Sequence, residues 1–190
     1  MTTSPKKRAR TKVRGPTPNQ PSRSNAKKQA TAPKRVYIET TIVSYLTARP
    51  SREVVIAGHQ QVTREWRDTR RAEYELCVSQ LVLDEAGAGD AQAAQERLLV
   101  LRPMLVLETT AEALELAKKL LEAGALPAKA ADDALHIAVA ATKAVPYLVT
   151  WNCRHLANAV MRPVIETVCK AKGFAAPIIC TPEELLESKP

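Results

Sequence analysis

Four polar side chains stand at places in this 190-residue chain where packing does not call for them: Glu39, Glu85, Asp133 and Asn152. Three carboxylates and an amide form a hard oxygen set, suited to Mg²⁺ or Mn²⁺. Such a cation orients a water nucleophile and stabilises charge on a leaving oxygen, which is the chemistry of phosphoryl transfer. Each residue also has a structural reading. Glu39 lies near a helix start, where the dipole favours a carboxylate and Thr40 or Thr41 can act as N-cap. Asp133 falls in the first turns of another helix, and the same dipole accounts for it. Glu85 sits about two turns into its helix, too far in for the dipole, but it can simply be solvated. Thr40 and Thr150 fit either the orientation of ligands or water, or capping. Asp132 can add a charge, although as Asp133's neighbour on a helix it points about 100° away.

The elements that must carry these residues alternate along the chain. Val36-Tyr37-Ile38 is a short apolar strand that ends in Glu39-Thr40-Thr41 and leads into a helix over 42–46. A charged helix runs from Glu53 to Arg71, with Val54, Val55, Ala57, Val62 and Trp66 as its inward residues. Leu76-Cys77-Val78 is the second strand, followed by a helix capped by Ser79 and carrying Glu85. Ala91 to Val100 reads as a helix and Met104 to Leu107 as a strand. Thr109 with Glu112 fits a capping box opening an amphipathic helix through Glu122, whose core face is Ala113, Leu114, Ala117, Leu120 and Leu121, with Gly124 as the stop. The segment from Ala130 to Pro146 is apolar almost all round, the pattern of a helix buried on several sides. Tyr147 to Trp151 is a β-branched and aromatic strand, and Asn152 follows it directly. A helix near 163–172, a strand over Pro177 to Cys180 and a helix capped by Thr181 close the chain. Short apolar strands separated by helices argue an α/β fold with a parallel central sheet. Such sheets bind ligands at the carboxyl ends of their strands, where Glu39 and Asn152 stand.

Composition divides the chain in two. Of its 28 basic residues eleven fall within residues 1–35, which hold no acid, so 17 remain against all 20 acidic residues. Residues 1–34 include five prolines and no Leu, Ile, Phe, Tyr or Trp, so they cannot bury enough apolar surface to offset ordering and are expected to be a disordered basic tail. A basic arm holds phosphate backbones electrostatically, or simply solubilises. The folded domain is placed at residues 35–190. No run approaches the roughly eighteen apolar residues of a membrane span. Cys77, Cys153, Cys169 and Cys180 are scattered and read as reduced thiols, so a cytoplasmic protein is expected. His59, His136 and His155 have no partners at ligand spacing and are read as structural or solvated. Gly87 and Gly89 lack a dinucleotide or P-loop spacing, so no organic cofactor is expected.

The succession Tyr37-Ile38-Glu39-Thr40-Thr41, Ser79-x-Leu81-Val82-Leu83-x-Glu85, Asp133-Ala134-Leu135-His136-Ile137-Ala138 and Leu148-Val149-Thr150-Trp151-Asn152 resembles the PIN-domain family of metal-dependent nucleases, which includes the VapC-type toxins of bacterial toxin–antitoxin pairs. The resemblance spans residues 35 to 187. It implies a three-layer α/β/α fold with a parallel sheet of about five strands in order 3-2-1-4-5, which sets Glu39 beside Asn152. It also implies an Mg²⁺- or Mn²⁺-dependent endoribonuclease with Glu39, Glu85, Asp133 and Asn152 as catalytic and metal-holding residues. RNA is the implied substrate, with an antitoxin protein and a second copy of the chain as implied partners. Glu39 and Asn152 both depart from the aspartates usual in the family. The first keeps the charge with a longer reach, and the second removes a charge. A non-catalytic RNA-binding module with a degenerate metal site is therefore the alternative. A phosphoacceptor domain built on Asp132 and Asp133 ranks below both, because that acidic pair sits on a late helix rather than at an early strand end.

Overall fold

The computed structural model describes residues 1–3 and 33–186. The chain divides into two units between Thr31 and Ala32, and the strands and helices described all belong to the second. The expected disordered tail lies outside the described residues except at 1–3 and 33–34, and the first strand, β1, begins at Lys34.

Five parallel strands form one sheet: β1 (Lys34–Ile38), β2 (Tyr74–Ser79), β3 (Leu105–Leu107), β4 (Tyr147–Val149) and β5 (Ile178–Cys180). Their order is β3-β2-β1-β4-β5, the order the resemblance implied. Val36 pairs with Leu76 on one side and Tyr147 on the other, and Ile38 pairs with Val149. The chain therefore leaves β1 in one direction and returns to its other side with β4, which makes the carboxyl ends of β1 and β4 the topological switch point. Val36, Tyr37, Cys77, Val78, Leu148 and Val149 are wholly buried, as expected for central strands covered on both faces.

The flanking helices are α1 (Thr40–Thr47), α2 (Val54–Thr69), α3 (Gln80–Gly87), α4 (Ala91–Leu101), α5 (Ala111–Glu122), α6 (Ala131–Thr142), α7 (Arg162–Ala171) and α8 (Pro182–Leu186). The α6 helix buries Ala134, His136, Ile137, Ala138, Val139, Ala140 and Ala141, and α5 packs along it. Gly124 stops α5 as expected, taking a φ of +67° that a side chain would resist. No helix among the described residues is long and apolar enough to cross a membrane.

Several local expectations are corrected. The N-cap of α1 is Glu39 itself, whose carboxylate accepts from the Thr41 amide, rather than either threonine. Ser79 occupies the N-cap position of α3 but makes no capping bond, because its hydroxyl pairs with Tyr37 instead. Thr110, not Thr109, caps α5 by accepting from the Ala113 amide, which lies three residues on. Ala113, Ala117 and Leu120 face the core as expected, but Leu114 is exposed and Leu116 is buried, so the core face of α5 is shifted sideways by roughly 50°. On α2, Val54 and Val55 are exposed and the buried residues are Gln60, Thr63 and Trp66. The inward face of α2 carries polar groups because they serve the neighbouring loops. Gln60 donates to the Arg49 carbonyl and accepts from the Ser51 amide, and Thr63 accepts from the Trp151 indole. Hydrophobic periodicity cannot find a face built this way.

Candidate functional site

Glu39 is the first residue after β1 and is only 5% exposed. Its Oε2 accepts from the Thr41 amide at 3.1 Å, from the Thr41 hydroxyl and from the Thr150 hydroxyl at 2.7 Å. The hydrogen bonds described for this carboxylate all fall on Oε2. Thr150 in turn accepts from the Asn152 amide at 2.9 Å, and the Thr41 hydroxyl accepts from the Trp151 amide at 2.9 Å. The ends of β1 and β4 are thus tied together by two threonines, Thr41 and Thr150. Behind them the Trp151 indole donates to Thr63 and its ring stacks on His59 at a centroid distance of 3.9 Å, which fixes the strand end against α2.

Glu85, half-buried on α3, reaches the same place from the other side. Its Oε2 accepts from the Thr40 hydroxyl and from His136 Nε2, the latter at 3.2 Å. Burial pushes the Glu85 carboxyl up, but the hydrogen bond and charge of His136 and the bond from Thr40 outweigh it and hold the group below the usual glutamate range. His136 is 1% exposed. Its Nδ1 lies 2.8 Å from the Tyr37 hydroxyl, which lies 2.6 Å from Ser79 Oγ. Burial raises the pKa of the Tyr37 hydroxyl, so this phenol stays protonated. Among the described residues, ligand atoms of Glu39, Glu85 and His136 all lie within 4.8 Å of one another. Adjacent ligands about 2.1 Å from an ion stand roughly 3 Å apart and opposite ones about 4 Å, so small side-chain shifts suffice to close this group on a divalent cation. Two carboxylates each keeping one oxygen out of the hydrogen bonds described, together with an imidazole, fit such an ion chemically.

Asp133 and Asn152 form a second group. Asn152 Nδ2 donates to Asp133 Oδ1 at 2.8 Å, and His155 Nδ1 lies 2.7 Å from Asp133 Oδ2. Asn152 Oδ1 accepts from the His155 amide at 3.1 Å, so the amide is held at both ends. Both oxygens of Asp133 are therefore engaged, and Asp133 is not part of the group of three. Asp132 is exposed and takes no place in either group. The two groups meet through α6, where Asp133 and His136 are three residues apart and share one face, and through Thr150, which bonds Glu39 on one side and the Asn152 amide on the other.

His136 and His155 are the functional candidates that sequence reasoning missed, since neither has a partner at ligand spacing along the chain. For His136 a signal existed: a polar ring in a segment otherwise buried and apolar must find a partner, and Asp133 one turn earlier marks the face it shares. For His155 nothing local pointed to Asp133, which lies 22 residues away.

No family model and no curated protein matches this chain. Among solved structures it is similar to a chain of the crystal structure of VapBC2 from Rickettsia felis bound to a DNA fragment from their promoter. That likeness has a TM-score of 0.50 at 16% sequence identity and covers 77% of this chain and 98% of the other. At this identity the likeness concerns the fold, and the α/β architecture with its parallel five-stranded sheet agrees with it.

Proposed function

We propose that this chain is a metal-dependent endoribonuclease with a PIN-like fold, a VapC-like toxin whose protein partner is an antitoxin. The observation that carries the reading is the convergence of Glu39 and Glu85 beside His136 at the switch point of the sheet, where α/β folds place their ligands. A bound Mg²⁺ or Mn²⁺ there supplies charge stabilisation for a phosphodiester and activates water. Glu39 and Glu85 hold the cation, and Thr41, Thr150 and Thr40 fix which carboxylate oxygens remain for it. Asp133 acts one turn away on α6, orienting the His155 imidazole and the Asn152 amide toward the substrate side. The likeness in fold to a chain of VapBC2 supports an antitoxin partner. A cleft of about 650 Å³ walled by α1, α2 and α4, lined by Leu46, Leu99 and Met104 together with Arg67, Asp68 and Arg71, is the surface we assign to that partner.

The experiment is cleavage of labelled single-stranded RNA by the purified full-length protein with Mg²⁺, Mn²⁺ or a chelator. Cutting is expected with either metal and not with the chelator, and Glu85→Gln should lower the rate about 100-fold or more, beyond what a merely supporting residue costs. One observation favours a second reading. Asn152 and His155 have taken up the Asp133 carboxylate where the resemblance expects a further negative charge, and a module that binds RNA without cutting it would tolerate that. RNA binding that survives chelation, without cleavage at any metal concentration, would establish this alternative instead.

A further inference from the structure

The group at Glu39 contains an imidazole, and an imidazole changes which cation a site prefers. Mg²⁺ takes oxygen ligands almost exclusively, whereas first-row transition cations accept nitrogen readily. We propose that Glu39, Glu85 and His136 form a mixed nitrogen and oxygen site that binds a first-row transition cation through His136 Nε2, preferring Mn²⁺ to Mg²⁺, with Tyr37 and Ser79 as positioning residues for the ring. The inference deepens the nuclease reading by naming its cation, and it rests on that reading only for the use made of the bound ion.

Three observations carry it. The described hydrogen bonds of Glu39 and Glu85 leave both Oε1 atoms uncommitted, and neither is among the buried atoms without a partner, so each is open to solvent and to a cation. Two carboxylates a few ångströms apart repel one another, and a cation between them removes that repulsion. His136 is anchored from behind, with its Nδ1 on the Tyr37 hydroxyl at 2.8 Å and that hydroxyl on Ser79 at 2.6 Å. Ligating histidines are held in this manner, their second nitrogen bonded to a group that fixes ring and tautomer. Finally, Nε2 is the nitrogen that faces the carboxylates.

The hydroxyl pair can also follow the proton that ligation moves on the ring. Ionised Glu85 can only accept, so in the described arrangement Nε2 carries a proton. Nδ1 accepts from Tyr37 when it carries no proton of its own. Ligation needs the Nε2 lone pair, so the proton must sit on Nδ1 and donate to the Tyr37 oxygen. Tyr37 can then turn its own proton toward Ser79, since either oxygen of that pair can be the donor. Tyr37 and Ser79 are buried, and no acidic or basic neighbour is needed for this exchange.

The test is metal binding by full-length protein stripped of metal, with Mn²⁺ and Mg²⁺ titrated separately by calorimetry and nitrogen hyperfine coupling read from the electron spin resonance of bound Mn²⁺. Mn²⁺ should bind at least about 10-fold more tightly than Mg²⁺ and show nitrogen coupling. His136→Gln, checked for folding by circular dichroism, should lose that coupling and bind Mn²⁺ about 10- to 100-fold more weakly, and Tyr37→Phe about 10-fold more weakly. Equal affinity for both metals, bound Mn²⁺ without nitrogen coupling, or unchanged binding in folded His136→Gln would each overturn the proposal. Should His136→Gln not fold, His155→Gln decides: retained coupling supports His136 as the source, and its loss overturns it. Cleavage separates this from the nuclease reading. Nitrogen-coupled Mn²⁺ with uncut RNA leaves the site standing and ends the nuclease, whereas RNA cut equally by His136→Gln with either metal does the reverse.

Discussion

Two histidine and carboxylate groups sit one helical turn apart on α6, and they are built to opposite ends. In the first, Glu39 and Glu85 each direct their described hydrogen bonds through one oxygen, and the buried His136 is held from behind by the Tyr37 hydroxyl, itself bonded to Ser79. In the second, Asp133 has both oxygens taken, one by an amide and one by an imidazole, and its histidine is 15% exposed in the side chain. A carboxylate at a sheet's switch point does not by itself make a cation site. What matters is whether the protein's own donors have already satisfied it, because an ion must compete with every hydrogen bond it displaces.

Neutralising one carboxylate in each group puts this contrast under the greatest strain. Glu39→Gln should reduce Mn²⁺ affinity by about 100-fold or more, while Asp133→Asn should leave it within about threefold yet slow RNA cleavage about 10- to 100-fold, as the loss of an orienting partner does. Calorimetry and cleavage rates on both variants measure this, and equal losses of Mn²⁺ affinity would erase the distinction. Asn152→Asp tests the second group from inside. It replaces the amide that donates to Asp133 with a second carboxylate, so oxygen faces oxygen at the 2.8 Å contact. In chelator the variant should be less stable by about 1–3 kcal/mol in urea unfolding, and divalent cations should restore much of that loss. A midpoint equal to wild type would mean that this amide does no structural work.

The smallest effect concerns Cys153, next to Asn152 and exposed, while Cys77, Cys169 and Cys180 are buried. Burial pushes the buried thiols up to about 12, about 11 and about 12 in that order, so they are neither accessible nor ionised near neutral pH. A disulfide reagent should therefore modify one thiol of the four in the folded protein and all four in denaturant. Blocking Cys153 should leave Mn²⁺ affinity unchanged, since it adjoins the Asp133 group rather than the Glu39 group.

Much of the fold was legible because the strands are short apolar runs and α6 is apolar almost all round beyond its first turn, patterns that burial explains. The strand order needed the family resemblance, since periodicity names strands but not their neighbours. Helix faces were less legible. On α2 the buried side chains include Gln60 and Thr63, each bonded to a loop or a distant indole, so the polar residues lie where a hydrophobic pattern looks for valines. Caps failed for a related reason: Ser79 has the right type and position, but a tyrosine from β1 claims its hydroxyl.

Residue types within a dozen neighbours suffice for the parallel α/β class, for the segment that forms the buried helix, and for the positions of Glu39 and Asn152 at strand ends. Which acids share a site is settled in three dimensions alone. Folding sets His136 against Glu85 across 51 residues, Thr150 on Glu39 across 111, and His155 on Asp133 across 22. Those pairings depend on the parallel register of β1 and β4 and on the packing of α6 beside them. No local pattern encodes them, because the groups meet only once the sheet has closed.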